Sequence, residues 1–456
     1  MDNIKLFGMP ADKGRWFLIP LGMTVLLCLG TVYSWSIFRK PLEALFKKEG
    51  INITATESLL PFTVLLVVFA VVMPIAGFYI NRFGARLITA VGGLIMATGY
   101  ILSSFASNIT MLAVTYGIIA GIGVGMAYGM PLAVVARWFP DKKGIAVGLT
   151  VVGFGLSPLI TAPLAKSLID TYQVRQTFVI FGVAFALIIL AISATLTLPP
   201  TGWKPPNYSP ALRSVPKKND PKLVIASSFL LAMTTGRFFT WSNLSNSHRT
   251  SNRESMLQSR TFYGLWLCYA IGSFAGLAAI GIASPLAQEI IKLDAATAAS
   301  SVSLFAIFNG AGRPFFGWLT DRLTPKLGAI VAFMLVIIAS IMMLNARQGD
   351  ITTYLVAFSL FYFSLGGWLA IAPTSTLTFF NPQDYAKNYG IVFTAYGVGA
   401  LGGTTIAGQV RDIFGSYTNF FYPTAALAML GIILTVFLLK PSSVILSEEV
   451  QTDKVT

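Results

Sequence analysis

The sequence predicts an all-α polytopic membrane protein with twelve transmembrane helices in two pseudo-symmetric halves of six. Three observations carry this. Hydrophobic residues make up 55% of the 456 and charged residues only 11%, where a soluble domain carries roughly 25% charged residues. Apolar windows of about the 20 residues that a helix needs to cross a bilayer recur along the chain. A short polar phrase near residue 77 returns near residue 317, which makes the chain two similar membrane halves.

In chain order the first six windows fall at 16–38, 58–80, 86–106, 109–136, 144–169 and 177–198. Trp16 to Phe38 is too long for the apolar part of a removable signal peptide. A break follows, opening Leu-Pro-Pro-Thr-Gly-Trp-Lys-Pro-Pro and rich in Lys and Arg. Six more windows then fall at 262–288, 296–319, 327–346, 351–379, 387–410 and 417–439. In lipid no backbone group can be left unpaired, so the windows are helices and not strands of an open sheet. The chain divides into a bundle over 1–198, a cytoplasmic linker over 199–260, a second bundle over 261–440 and a tail over 441–456. Leu223 to Phe239 inside the linker is apolar enough to suggest a thirteenth crossing. A single extra crossing would invert the charge asymmetry of the second half, so a helix lying on the membrane surface is expected instead.

The net charge is +14, yet the basic residues are spread over short loops and gather on no one domain. They favour the loops on the side of both termini. That asymmetry puts both termini in the cytoplasm of a plasma (inner) membrane, and no nucleic-acid partner is needed to explain the charge. Cys28 and Cys268 lie in apolar spans, and His248 is the sole histidine. No disulfide, metal site or cofactor is expected. Gly121-x-Gly123-x-Gly125 lacks the strand–turn–helix setting of a nucleotide site, and no nucleophile–base pair is present, so an enzyme is not expected.

The repeated phrase is Gly77-Phe-Tyr-Ile-Asn81-Arg82-Phe-Gly84-Ala-Arg86 in the first half and Gly317-Trp-Leu-Thr-Asp321-Arg322-Leu-Thr-Pro-Lys326 in the second. It resembles the loops between helices 2 and 3, and 8 and 9, of the major facilitator superfamily. Asn81 stands where that family usually has Asp; the second copy lacks the Gly and ends on Lys326. The resemblance implies alternating access, with Asp321, Arg322, Asn81 and Arg82 as gating residues whose inner-side ion pairs hold the outward-open state. A second echo joins Trp138-Phe-Pro-Asp141, which leads into Gly148, Gly153 and Gly155, to Phe379-Phe-Asn-Pro382, which leads into Gly390, Gly397 and Gly399. Such glycines let membrane helices pack closely.

An ionisable residue deep in a span costs about 3 kcal/mol on insertion scales and marks a functional site by default. Arg313, in Asn309-Gly-Ala-Gly-Arg313-Pro314, is the residue that fits. It lies eight residues before Asp321, about 12 Å along a helix axis. Glu57, Asp170, Glu289 and Asp294 all map to span ends, so no internal carboxylate offsets it. A guanidinium matches a carboxylate in two parallel hydrogen bonds, so the missing anion is read as the substrate. The alternative has Arg313 bonding backbone carbonyls. Tyr33, Trp35, Tyr128, Phe154, Trp368 and Tyr396 are the aromatic residues placed to line a central cavity, with Asn309 beside Arg313. Tyr and Trp offer an apolar body and a donor to a small organic acid.

Gly30-Thr-Val-Tyr33-Ser-Trp35-Ser-Ile-Phe38-Arg-Lys-Pro41-Leu42, Asn309-Gly-x-Gly-Arg313-Pro314-x-x-Gly317 and Asn388-Tyr389-Gly390 are similar to helices 1, 8 and 11 of the oxalate/formate antiporter family, related to the monocarboxylate transporters. The resemblance covers both halves and stops at the linker. It implies a secondary transporter whose cavity arginine is Arg313. The family's cavity lysine falls on Tyr396, so one positive charge is absent. A monoanion such as formate, lactate, pyruvate or glycolate balances Arg313 one to one. A dianion leaves about one charge uncompensated. The expected function is therefore alternating-access transport of small monocarboxylates, with a proton or a counter-anion left open as co-substrate. The alternatives are oxalate/formate-type exchange, a facilitator in which Arg313 is structural, and a membrane sensor that moves nothing.

Overall fold

The computed structural model describes residues 4–200, 203–205, 256–380 and 385–439. The apolar stretch from Leu223 to Phe239 and the tail over 441–456 lie outside these residues. A two-strand hairpin, β1 (Lys5–Leu6) on β2 (Met9–Pro10), precedes the helices; its turn places Phe7 and Gly8 at positive φ.

The first helix, α1, runs Ala11–Lys48, ten residues past the expected window, with 3₁₀ turns at Arg15–Phe17 and Thr31–Ser34. Ala55–Ser103 holds two spans, α2 (55–83) and α3 (85–103), broken at Gly84 where φ is 77°. That turn sits inside the repeated polar phrase, and glycine takes the positive φ without a Cβ clash. Then comes α4, Ile109–Trp138. Lys143–Ser193 again holds two spans, α5 (143–172) and α6 (174–193), broken at Gln173, φ 67°. The second half comprises α7 (Arg260–Ile291), α8 (Ala295–Arg322), α9 (Pro325–Leu344), α10 (Ile351–Phe379), α11 (Tyr385–Phe414) and α12 (Thr418–Leu438). Side-chain caps set several starts: Thr54 with Glu57 at α2, Asp294 at α8 and Thr324, followed by Pro325, at α9.

Among the described residues nine helices are long and apolar enough to cross a membrane. Two of them are the double spans, and α8 is the remaining crossing. Serines, glycines, Asn309 and Arg313 dilute its apolar run. The order is thus six spans and six. The starts of α1 and α7 and the end of α12 share one face, the terminal face; Gly264 of α7 packs on Leu438 of α12 there, and Trp138 at the end of α4 donates to the Thr197 carbonyl after α6 (2.6 Å). We call the opposite side the far face. Large apolar residues such as Leu187 and Phe437 are two-thirds exposed around the outside, as a surface facing lipid requires.

Two long seams join the halves. Along α2 and α11, Gly397 lies against Ala70 and Gly408 against the Thr56 backbone. Along α5 and α8, a Cβ added at Gly155 would stand 2.8 Å from Asn309 Oδ1. Absent side chains let the backbones close, and dispersion contacts then replace the hydrophobic drive that lipid removes. These seams, with α1 against α7 between them, bring α1, α2 and α5 of one half to face α7, α8 and α11 of the other.

Candidate functional site

Arg313 lies about two-thirds of the way along α8, buried, on the α5 seam. Its Nη1 donates to the Val151 carbonyl of α5 (3.0 Å) and Nη2 donates to Asn309 Oδ1 one turn back (3.4 Å). Among the described residues Nε has no partner, although it is out of contact with solvent. Among the described residues Arg313 forms no ion pair. Asn309, fully buried, fixes the guanidinium and donates its own Nδ2 to the Tyr362 carbonyl of α10 (3.2 Å). An uncompensated cation in a low-dielectric setting attracts an anion strongly.

Around it stands an aromatic cage drawn from both halves. The Tyr33 hydroxyl of α1 and the Tyr396 hydroxyl of α11 bond each other at 2.7 Å. Phe154 of α5 meets Tyr33 edge-on at 5.0 Å and Tyr128 of α4 at 5.0 Å. Tyr33 and Tyr128 both lie within the field of the Arg313 charge, and Tyr128 turns its hydroxyl towards it. The structure therefore brings together Arg313, Asn309, Tyr33, Tyr128, Phe154 and Tyr396.

Two other residues stand apart. Trp368 lies behind Tyr269 (6.1 Å, stacked) and against Phe333 (5.1 Å), its buried N–H unpaired. Trp35 does not face the cavity. It packs between Tyr116 (4.5 Å) and Phe38 (6.2 Å) inside the first bundle and donates Nε1 to the Ser58 carbonyl (3.1 Å). Two residues beyond Tyr33, the helix has turned it by about 200° to the other side.

Sequence reasoning missed Phe69, Tyr269 and Phe393, which complete the cage: Phe69 touches Tyr128 (5.1 Å), Phe154 (5.9 Å) and Phe393 (5.7 Å), and Tyr269 faces Tyr396 (6.4 Å). It also missed two buried arginines near the ends of α1, Arg39 and Arg15. Arg313 is thus not the lone cation buried within a helix.

At the terminal face Arg15 grips Asp141 with both Nη atoms (2.5 and 2.9 Å), donates to the Trp138 carbonyl (3.0 Å) and lies under the Phe139 and Trp203 rings. Burial of Asp141 works against its ionisation, but the Arg15 hydrogen bonds and charge outweigh it and hold the carboxyl below its ordinary 3.8. Among the expected gating residues, Asn81 accepts from Arg137 Nη2 of its own half (2.7 Å), and Arg82 lies over Phe83 (5.3 Å). Arg322 is exposed at the end of α8; the Asp321 side chain lies outside the described residues.

Comparison with known proteins gives the chain its relatives. The oxalate:formate antiporter of Oxalobacter formigenes is 24% identical over 428 residues, 93% of this chain and 91% of that protein. The MFS-type transporter YhjX of Escherichia coli (strain K12) is 26% identical over 392 residues, 86% and 87% of the two chains. Human monocarboxylate transporter 12 is 25% identical over 418 residues, 90% and 78%. Among solved structures, a bacterial homolog of the human lysosomal transporter Spinster superposes with a TM-score of 0.60 at 16% identity, covering 93% of this chain and 94% of that one, a likeness of fold. The Major Facilitator Superfamily profile matches residues 17–286 and 265–453. The chain belongs to the Major Facilitator Superfamily and is a multi-pass membrane transporter, not an enzyme.

Proposed function

We propose that this transporter carries small monocarboxylate anions by alternating access, with Arg313 pairing the substrate carboxylate. The observation that supports this most is the state of Arg313: buried, without an acidic partner among the described residues, its Nε unpaired. A carboxylate completes that donor set. Tyr128, Tyr33 and Tyr396 offer hydroxyl donors beside it, and Phe69, Phe154 and Phe393 supply apolar walls for a one- to three-carbon body. One formal charge in the cavity suits one on the substrate, as in formate, lactate, pyruvate or glycolate. The kinship with an oxalate:formate antiporter and with monocarboxylate transporters supports the same chemical class. An empty cationic cavity is costly to reorient and a filled one is not, so exchange of anions is the favoured cycle. The two faces of the cycle are the cytoplasmic one, which bears the termini, and the external one.

The bond from Nη1 to the Val151 carbonyl favours a second reading, in which Arg313 staples α5 to α8 and the solute is of another class. Uptake of radiolabelled lactate, formate and oxalate into liposomes separates the two. On the first reading, saturable monocarboxylate uptake disappears in Arg313→Ala while the purified variant keeps its elution profile. Uptake unchanged by Arg313→Ala establishes the second. Oxalate moving best overturns the charge argument built on Tyr396.

A further inference from the structure

At the far face the halves meet through a charge cluster that lies outside the cavity. Arg39 of α1 is fully buried there. Within its own half it donates to Ser58 Oγ from Nε (2.9 Å) and Nη2 (2.6 Å), and to the Ala55 carbonyl (3.2 Å). The same guanidinium crosses to the other half, from Nη1 to the Gly281 carbonyl of α7 (3.3 Å) and from Nη2 to the Tyr417 hydroxyl before α12 (2.8 Å). Next to it Glu289 of α7 receives Lys40 from across the divide and Arg411 from α11 of its own half (2.7 Å). A third crossing runs from the Asp412 carboxylate of α11 to the backbone N–H groups of Ala55 (2.6 Å) and Thr56 (2.9 Å), the free donors at the start of α2.

We propose that these contacts form a latch, with Lys40–Glu289 as its ion pair, which holds the far face closed and sets the resting balance between the two access states. The proposal rests on the alternating-access reading above. Its ground is that Lys40, Glu289, Arg39 and the start of α2 each have a fallback on their own side. When Lys40 leaves, Arg411 still neutralises Glu289, and Lys40 keeps Glu43 at 3.4 Å. When Arg39 leaves Gly281 and Tyr417 it keeps Ser58, Ala55 and Glu43, the last at 3.8 Å. When α2 leaves Asp412 its start is still capped by Thr54 and Glu57. Breaking a buried pair is costly because it strands a charge; here Lys40, Glu289 and Arg39 keep same-half partners, and the Asp412 carboxylate is exposed to water. Contacts made in one state only shift a two-state equilibrium by their whole worth, and these are built to be made and broken.

Two introduced cysteines read the balance. Thr63 is buried under the latch, bonded to Thr404 across the halves (2.5 Å), and Gly129 faces open space beside Tyr128, with no atom within 4 Å of an added Cβ. In the full chain, with Cys28 and Cys268 replaced by Ala and the protein held in nanodiscs, maleimide labelling is timed at Thr63→Cys and Gly129→Cys. Adding Lys40→Gln or Glu289→Gln should speed Thr63→Cys about tenfold, the loss of roughly 1.4 kcal/mol, while Gly129→Cys reacts no faster. Arg411→Gln, which removes the same-half partner that Glu289 keeps when Lys40 leaves, should slow Thr63→Cys or leave it unchanged, and never speed it. Both sites speeding together would mean loosened packing and overturn the latch, as would no change at Thr63→Cys or an equal effect from Arg411→Gln. Labelling needs no substrate, so a failure here is separate from a failure of Arg313-dependent uptake.

Discussion

At residue scale the site turns on how firmly Arg313 is aimed. Asn309 and the Val151 carbonyl fix two of its donors, and Gly155 leaves just enough room: an added Cβ would lie 2.8 Å from Asn309 Oδ1 and 3.2 Å from Arg313 Nη2. Gly155→Ala should therefore displace the guanidinium by a few tenths of an ångström and raise the KM for a monocarboxylate about tenfold, with yield retained. Concentration-dependent uptake by the liposome-reconstituted variant checks this. The Tyr33–Tyr396 hydroxyl pair gives a second prediction. A buried neutral hydrogen bond contributes about 1 kcal/mol, and each phenol exists in the site partly to satisfy the other. Tyr33→Phe, Tyr396→Phe and the double variant should each weaken uptake several-fold, the double no more than either single. Strictly additive losses in that cycle would mean that the two hydroxyls act separately.

At element scale the twelve spans were legible because each is an apolar run that lipid leaves no choice but to fold as a helix. The α2–α3 turn was legible too, since its polar phrase contains the Gly84 that supplies the positive φ. What each span turns towards its neighbours was less so. In a bundle with apolar residues on every side, periodicity does not fix the helical phase, and 34 phenylalanines offer no contrast. Trp35 was thus placed in the cavity, and Phe69, Tyr269 and Phe393 were not. Arg39 was missed for another reason: the apolar window ends at Phe38, whereas the helix continues to Lys48 and carries the arginine inside with it. At the other end of α1 the Arg15–Asp141 clasp anchors the helix to the α4–α5 turn. The Asp141 carboxyl is held below 3.8, so its stabilising effect is complete above the unfolded value and fades as pH drops through the lower folded one. Asp141→Asn should cost about 2 kcal/mol near neutral pH, the scale of a hydrogen bond to a charged group. In thermal melts the gap between variant and parent should narrow as pH falls below 3.8.

At the scale of the whole molecule, the proposed cycle has two bundles sharing one cationic cavity, with its charge matched before the halves move past each other. Trans-stimulation follows. Liposomes loaded with unlabelled lactate should take up labelled lactate several-fold faster than empty ones, and equal rates would argue for a uniport cycle. The same polarity bears on how the protein is made. The helix that carries the site, α8, lacks the apolar density of the other crossings because Ser301, Ser303, Asn309 and Arg313 lie along it. Leu and Phe each return roughly 0.5 kcal/mol to an inserting helix and a central arginine takes about 3. By itself α8 is therefore a poor stop for the translocon. It enters the bilayer on credit from its neighbours, settling once α7 and α10 are there to receive its polar face. A glycosylation-mapped reporter holding α8 alone should insert poorly, and Arg313→Leu should restore insertion: the residue proposed to hold the cargo is the one that makes its own helix slowest to reach the membrane.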